Sequence, residues 1–333
     1  MLTRRTILML PLGLMACKEG LSVVELTGTT MGTTYRLVAL DRSGAVDREA
    51  LNSSLQIALA DVNAAMSNWD PTSEVSRLNS STDGTATAAS GAMMQVLHAA
   101  SDVQIGSNGA FDVTVGALVD LWGFGAQGGA GEAPTDAAID ATMAHVGQDT
   151  VLRLTSNTVA KTAPAVSLYL SAIGKGYGVD LIAAAVEAEG ITDYMIEIGG
   201  DLYAAGQNAD GQTWQIGIET PDATDRRVQT IAGVSGGGMA TSGDYRNYFE
   251  VDGTRYSHIL DPRTGRPITH RTASATVITE NAMLADAWAT AMLVLGREEG
   301  MEIAAANELP VLFIDRDGAD FVTSRSPAFE RLG

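Results

Sequence analysis

The chain has 333 residues, 45% of them hydrophobic and 18% charged, with a net charge of −19 at pH 7. That composition belongs to a folded protein with a sizeable core and excludes a disordered chain. The acidic balance argues against nucleic acid as a partner, because phosphates would be repelled.

The single cysteine, Cys17, cannot form an intramolecular disulfide or a thiolate zinc cluster by itself. It closes the segment MLTRRTILMLPLGLMAC, in which two arginines precede an apolar run too short to span a bilayer. Residues 1–16 are therefore expected to be an export signal peptide, with lipidated Cys17 and a tether over 17–26. The alternative is a plain secretory signal with an incidental cysteine. The stretch Thr3–Leu8 loosely resembles a twin-arginine signal. No later apolar run reaches about 18 residues without charge, so no spanning helix is expected.

Residues 27–333 are expected to form one domain. Glu25–Ala39 is strand-like around a Met31–Thr34 turn. Asp47–Met66 places Leu51, Leu55, Leu59, Val62 and Met66 at helical spacing, and Pro71 stops the segment, leaving Trp69 in the exit loop. Ser73 N-caps a short helix to Asn79, and Gly91–Ser107 is a second amphipathic helix. Phe111–Val115 has a strand's composition, and Thr135 N-caps a helix to about His145. Two strand signals, VLRLT and TVAKTAPAVSLYL, fill Val151–Leu170. Glycines surround Lys175 ahead of a helix over Val179–Glu189. Tyr194–Gly206 is two strands around Gly199-Gly200, and Trp214–Thr220, Gln229–Ala240 and Thr272–Thr279 are further strands. Helices over Ala282–Leu295 and Glu298–Asn307 precede a closing strand, Pro310–Asp315. Hairpins among helices predict an α+β fold with mixed or antiparallel sheets and helices packed on them.

Three stretches carry candidate chemistry. Gly174-Lys175-Gly176 outlines an anion site at a helix start, without the spacing of a Walker A loop. Asp286 and Thr290 share one face of an Ala-rich helix; the carboxylate either has a structural partner or helps hold a cation such as Mg²⁺. The segment Ala240–Pro267 packs a Thr241-Ser242-Gly243 turn, two short strands, His258 and an Asp-Pro turn into one functional-looking loop. His258 is either a general base or a structural hairpin histidine. Met31, Trp69 and Phe111 sit at turns, where they would line a planar-ligand pocket or cap the core.

In order along the chain, MGTTY at Met31, MSNWDPTSEVSRLN at Met66, GAFDVTVGALVDLWGFG at Gly109, SAIGKGYGVD at Ser171, IGGDLYAAG at Ile198, ATSGDYRNYF at Ala240, SHILDPRTGRP at Ser257 and ADAWATAMLVLG at Ala285 together resemble the ApbE-type FAD:protein FMN transferases. The resemblance implies a periplasmic, lipid-anchored enzyme. It would split FAD, release AMP and leave FMN on a threonine of an acceptor protein as a phosphoester. Family acceptors are typically subunits of ion-pumping or electron-transfer membrane complexes. By the same resemblance, Met31 and Trp69 flank the flavin, and Ala110, Phe111, Asp112, Tyr169, Lys175 and Leu260 contact FAD. Thr241 and Ser242 line the phosphates or the acceptor entry. The resemblance also implies that Asp286, Thr290 and the carbonyl of Ala172 bind Mg²⁺ and that His258 occupies the catalytic position; from its neighbours in sequence, Asp261 or Asp244 is expected to orient it as base. Two positions depart from the family pattern. Tyr169 stands where many members have Asp, and Ala289 stands where some carry a second carboxylate, leaving Asp286 the only one on that helical face. The rival expectations are a Mg²⁺-dependent FAD pyrophosphatase, with water in place of threonine, and a non-catalytic FAD-binding lipoprotein.

Overall fold

The computed structural model describes residues 21–82, 84–125, 128, 132–222, 227–245 and 247–332. The expected signal peptide and Cys17 lie outside the described residues. Among the described residues no helix is long and apolar enough to cross a membrane.

The strands that position the site are β1 (Ser22–Thr30), β2 (Thr33–Asp41), β3 (Tyr194–Ile198), β4 (Asp201–Ala205), β5 (Gly237–Gly243), β6 (Tyr248–Val251), β7 (Thr254–Ser257), β8 (Thr272–Thr279), β9 (Val311–Asp317) and β10 (Asp320–Arg325). Eight of them form one sheet in the order β1-β2-β3-β4-β5-β8-β9-β10. Every pairing in it is antiparallel. Strands β6 and β7 form a separate two-stranded hairpin.

Three helices lie on one face of the sheet: α1 (Arg48–Met66), α2 (Gly174–Ala188) and α3 (Ala282–Ala306). The periodicity of α1 does what it predicts. Leu51, Leu55, Leu59 and Val62 are buried, and Leu51, Leu55 and Leu59 meet Val179, Ile182 and Val186 of α2 over Leu37 and Ile196 of the sheet. Each fully buried side chain of this size contributes about 1.5–3 kcal/mol relative to exposure. The other face is covered by the Trp214–Glu219 and Val228–Val234 hairpin, whose Trp214, Ile216 and Ile218 pack on Leu202, Leu312 and Ile314. The result is α+β, as the alternation of hairpins and helices predicts.

Helix α3 fuses the two helices expected at Ala282–Leu295 and Glu298–Asn307. They meet at Gly296, whose φ of 69° is a glycine conformation, and a Cβ there would lie 2.9 Å from the His270 ring. Two glycines let the start of α3 sit tightly. A Cβ on Gly176 of α2 or Gly238 of β5 would collide with the backbone of Ala282.

Several local expectations change. Phe111–Val115 is not a strand; only an isolated bridge joins Val115 to Ser167. Asp112 explains this, because its Oδ1 accepts from Thr114 N at 2.6 Å and curls the backbone into an Asx-type turn. Of TVAKTAPAVSLYL, only Thr158–Lys161 forms a strand; Pro164, with no N–H, cannot continue a ladder. Thr241-Ser242-Gly243 is the end of β5 rather than a turn, paired with Thr276, Ala275 and Ser274 of β8. The chain does not close on the strand near Pro310–Asp315, since β10 and a short helix Pro327–Glu330 follow β9.

Candidate active site

The sheet ends and helix starts converge on a cavity of about 340 Å³. Its walls include Ala110, Phe111, Asp112, Tyr169, Ala172, Lys175, Thr241, Ser242, His258, Leu260, Asp286 and Thr290. These residues come from parts of the chain as much as 180 positions apart, and the fold brings them together.

One wall is a charged cluster. Helix α2 begins at Gly174, earlier than the sequence predicts, so Lys175 lies in its first turn. Its Nζ contacts Asp201 and lies 3.4 Å from Asp286 Oδ1. Gly176 N donates to Asp286 Oδ2 at 3.1 Å, a bond that the bare glycine makes reachable. Asp201 and Asp286 are both buried, at 2% and 3% exposure. Burial alone would depress the Lys175 ammonium, but the charges of Asp201 and Asp286 outweigh it and hold its pKa above the usual lysine value. Burial, then repulsion from Asp286, raise Asp201 above the ordinary carboxylate range in spite of Lys175. Asp286 is thus the only carboxylate on its own helical face but has Asp201 as a partner from another element. Sequence reasoning gave Asp201 no role. Its only signal was its place after the Gly199-Gly200 turn, which sets the start of β4 beside α2.

On the same face of α3, one turn beyond Asp286, Thr290 Oγ1 lies 3.1 Å from Ser242 Oγ of β5. Among the described residues, no three His, Cys, Asp or Glu side chains gather as a metal cluster. A cation here would therefore take Asp286 with neutral oxygens, from the Thr290 hydroxyl and the Ala172 carbonyl. This all-oxygen set suits Mg²⁺, and Lys175 already places one positive charge against Asp201 and Asp286.

Another part of the lining is His258, half-buried at the foot of the β6–β7 hairpin. Its backbone N donates to Asn247 O at 3.1 Å, and Nδ1 lies 2.9 Å from the same oxygen. A carbonyl only accepts, so Nδ1 carries a proton and, in the neutral ring, Nε2 carries the lone pair. Burial lowers the His258 pKa below the usual histidine value, outweighing the Asn247 hydrogen bond and the charge of Asp244. This corrects the direct partner of the ring, which is no carboxylate. Asp244 is bound by Arg316, Asp261 is bound by Arg263, and the main chain of Asn247 holds the ring. A backbone carbonyl has no sequence signature.

The remaining residues differ in how free they are. Asp112 lines the cavity, but its carboxylate accepts from Thr114, Gln104 and Gln148 N, so its oxygens serve the loop; burial still raises its pKa. Tyr169 is fixed by two asparagines. Asn68 and Asn79 both donate to Leu168 O and accept from Leu170 N and Leu168 N, like a surrogate strand. Met31 and Trp69 are not part of the cavity lining. Trp69 is 58% exposed and meets the Tyr169 ring edge-on at 5.9 Å. Met31 has a φ of 49°, and its methyl lies where a side chain on Gly178 of α2 would be, one turn beyond Lys175.

A cavity lined by a buried lysine–carboxylate cluster and by an imidazole whose pKa is lowered by burial is a candidate site for acid–base chemistry on a polar ligand. The chain belongs to the ApbE family, whose model matches residues 31–313. It is 42% identical over 317 residues to the FAD:protein FMN transferase of Vibrio cholerae, covering 95% of each chain. It is 36% identical to the FAD:protein FMN transferase of Escherichia coli K12, over 92% of this chain and 88% of that one. Among solved structures, the flavin transferase ApbE from Vibrio cholerae superposes with a TM-score of 0.86 at 41% identity, covering 93% of this chain and 99% of that one. The apo flavinyl transferase ApbE of Pseudomonas stutzeri gives 0.86 at 36% identity, over 94% and 97%.

Proposed function

We propose that this protein is an FAD:protein FMN transferase that moves the FMN portion of FAD to a threonine of an acceptor protein. The observation that carries this reading is that His258, Lys175 and Asp286 line one cavity, with Asp201 in contact with Lys175. In the reaction, the threonine Oγ attacks the FMN phosphorus. A new phosphoester bond forms, the bond to the bridging oxygen breaks, and AMP leaves with that oxygen. The proton of the attacking hydroxyl passes to His258 Nε2, which the Nδ1–Asn247 bond leaves free to accept it. Lys175 offers the diphosphate a positive charge that its two carboxylates keep protonated. Ser242 holds Thr290 in place on α3. Asp286, Thr290 and the Ala172 carbonyl fit Mg²⁺, which would supply charge neutralisation of the diphosphate oxygens. Tyr169, Leu260, Ala110 and Phe111 give the cavity its apolar and aromatic surface, suited to a flavin ring, and the neighbouring Met31 and Trp69 extend that surface.

The same reading takes residues 27–333 as one catalytic domain. The segment before it is proposed as an export signal followed by Cys17, lipidated and anchoring the protein at the periplasmic face of a membrane. The sequence MLTRRTILMLPLGLMAC supports that placement. The acceptor is proposed to be a subunit of a membrane electron-transfer complex, in line with the anchor.

Co-expression with candidate acceptors, followed by mass spectrometry, tests the reading. An FMN-sized adduct on threonine, absent in the His258→Ala variant, is the expected result. Rapid release of FMN and AMP with no adduct on any acceptor would assign the site to hydrolysis instead. Stoichiometric FAD that survives added Mg²⁺ would assign it to binding alone.

A further inference from the structure

We infer that Asp244, acting through Arg316 and Arg255, is the positioning residue that fixes the His258 ring for proton transfer. The inference rests on the reading of His258 as base. His258 does not belong to the main sheet; it follows a hairpin that pairs only with itself. Asp244, immediately after β5 and only 7% exposed, ties that hairpin to the sheet, beside the packing of Phe249 and Tyr256 on Phe124 and Trp122. Its N donates to Ala273 O of β8 at 3.1 Å. Its carboxylate receives Arg316 of β9 in a two-pronged contact, with Nη1 at 3.0 Å from Oδ2 and Nη2 on Oδ1. Its carbonyl accepts from Arg255 Nη2 of β7 at 2.6 Å, and Arg255 Nη1 stands 4.0 Å from Oδ2. One residue thus joins β8, β9 and the hairpin.

Arg255 carries the constraint onward. Its guanidinium lies 3.9 Å over the ring of Tyr248 on β6. Arg255 faces Glu250 across the ladder and Tyr248 faces Ser257, so this stack is a diagonal cross-strand contact that resists a slip in register. The next opposed pair is Asn247 and His258, and the Asn247 carbonyl both closes the ladder and holds Nδ1. A slip of the hairpin would move that carbonyl away from the ring and release the tautomer that leaves Nε2 free. Asp244 and Arg255 touch neither Lys175 nor Asp286 in the contacts described, so their effect is confined to the His258 wall.

The test uses the full chain and the acceptor identified by co-expression, following AMP released from FAD. Asp244→Asn is expected to lower kcat about tenfold to a hundredfold while KM for FAD stays within about twofold. In a His258→Ala background it should cause no further loss. Arg255→Met, which keeps the apolar stem, should do the same and serves if Asp244→Asn does not fold. Nitrogen NMR of His258 should show the proton leaving Nδ1 for a mixture of tautomers in both variants. Unchanged kcat with intact tautomer, or an equal loss in the His258→Ala background, overturns the inference. If His258→Ala itself leaves transfer unchanged, the functional reading fails. A full His258→Ala effect with none from Asp244→Asn or Arg255→Met defeats the positioning role alone.

Discussion

The two walls of the cavity are built in opposite ways. The charged wall is part of the core: Lys175, Asp201 and Asp286 come from α2, β4 and α3, locked together where Gly176 and Gly238 admit the start of α3. The histidine wall is a two-stranded hairpin outside the main sheet, joined to it by the salt-bridged Asp244 and packed through Phe249 and Tyr256 on Phe124 and Trp122. Holding several charges near one another out of water requires a rigid frame, because unpaired buried charges are costly. Holding one imidazole requires only a carbonyl and a fixed register. The difference predicts that damage to the charged wall appears in both folding and ligand binding, whereas damage to the hairpin appears mainly in turnover.

The largest effect expected is on turnover. His258→Ala should reduce transfer about 10²–10⁴-fold with FAD binding retained, as measured by AMP release and by calorimetric titration with FAD. A parallel loss of FAD affinity would erase the contrast between the walls. Next in size is Gly176→Ala. Overpacking against Ala282 should cost about 1–3 kcal/mol of stability and displace the Asp286 partner, lowering the unfolding midpoint and weakening Mg²⁺ binding together.

Smaller effects come from pH, and the walls respond in opposite senses. His258 is the base only when neutral, and burial lowers its pKa, so turnover should rise with pH and level off below the usual histidine value. On the charged side, Asp180 of α2 accepts from Ala282 N and Met283 N, and burial raises its pKa from 3.8 to about 6. A folded pKa above the unfolded one means that the folded state binds the proton more tightly. Stability from this group is therefore lost as pH rises through 3.8 to about 6 and constant above. Asp180→Asn should flatten the pH dependence of the unfolding midpoint in that window. An unchanged slope would show that another group sets it. The smallest change expected is from Ser242→Ala, which removes one hydrogen bond to Thr290 and should cost about 0.5–1.5 kcal/mol in thermal or denaturant unfolding.

Much of the architecture was legible because it depends on local periodicity. Asp47 and Ser73 cap their helices as their chemistry requires, and Thr272–Thr279 is a strand over the predicted span. Errors arose where a side chain competes with the backbone, as Asp112 does in curling Phe111–Val115, or where a stretch is held by distant residues, as Leu168 is by Asn79. No window of sequence contains both partners of such a contact.

By itself the sequence determined the α+β class, the capped starts of the helices after Asp47 and Ser73, and the family, because these follow from spacing, capping and ordered motifs. Only the tertiary structure decided that Asp201 shares Lys175 with Asp286, that Met31 and Trp69 stand outside the cavity lining, and that the Asn247 carbonyl rather than a carboxylate holds His258. The physical reason is that these depend on distances across the chain and on main-chain atoms. Every residue carries the same main-chain atoms, so no sequence pattern marks the one that will be used.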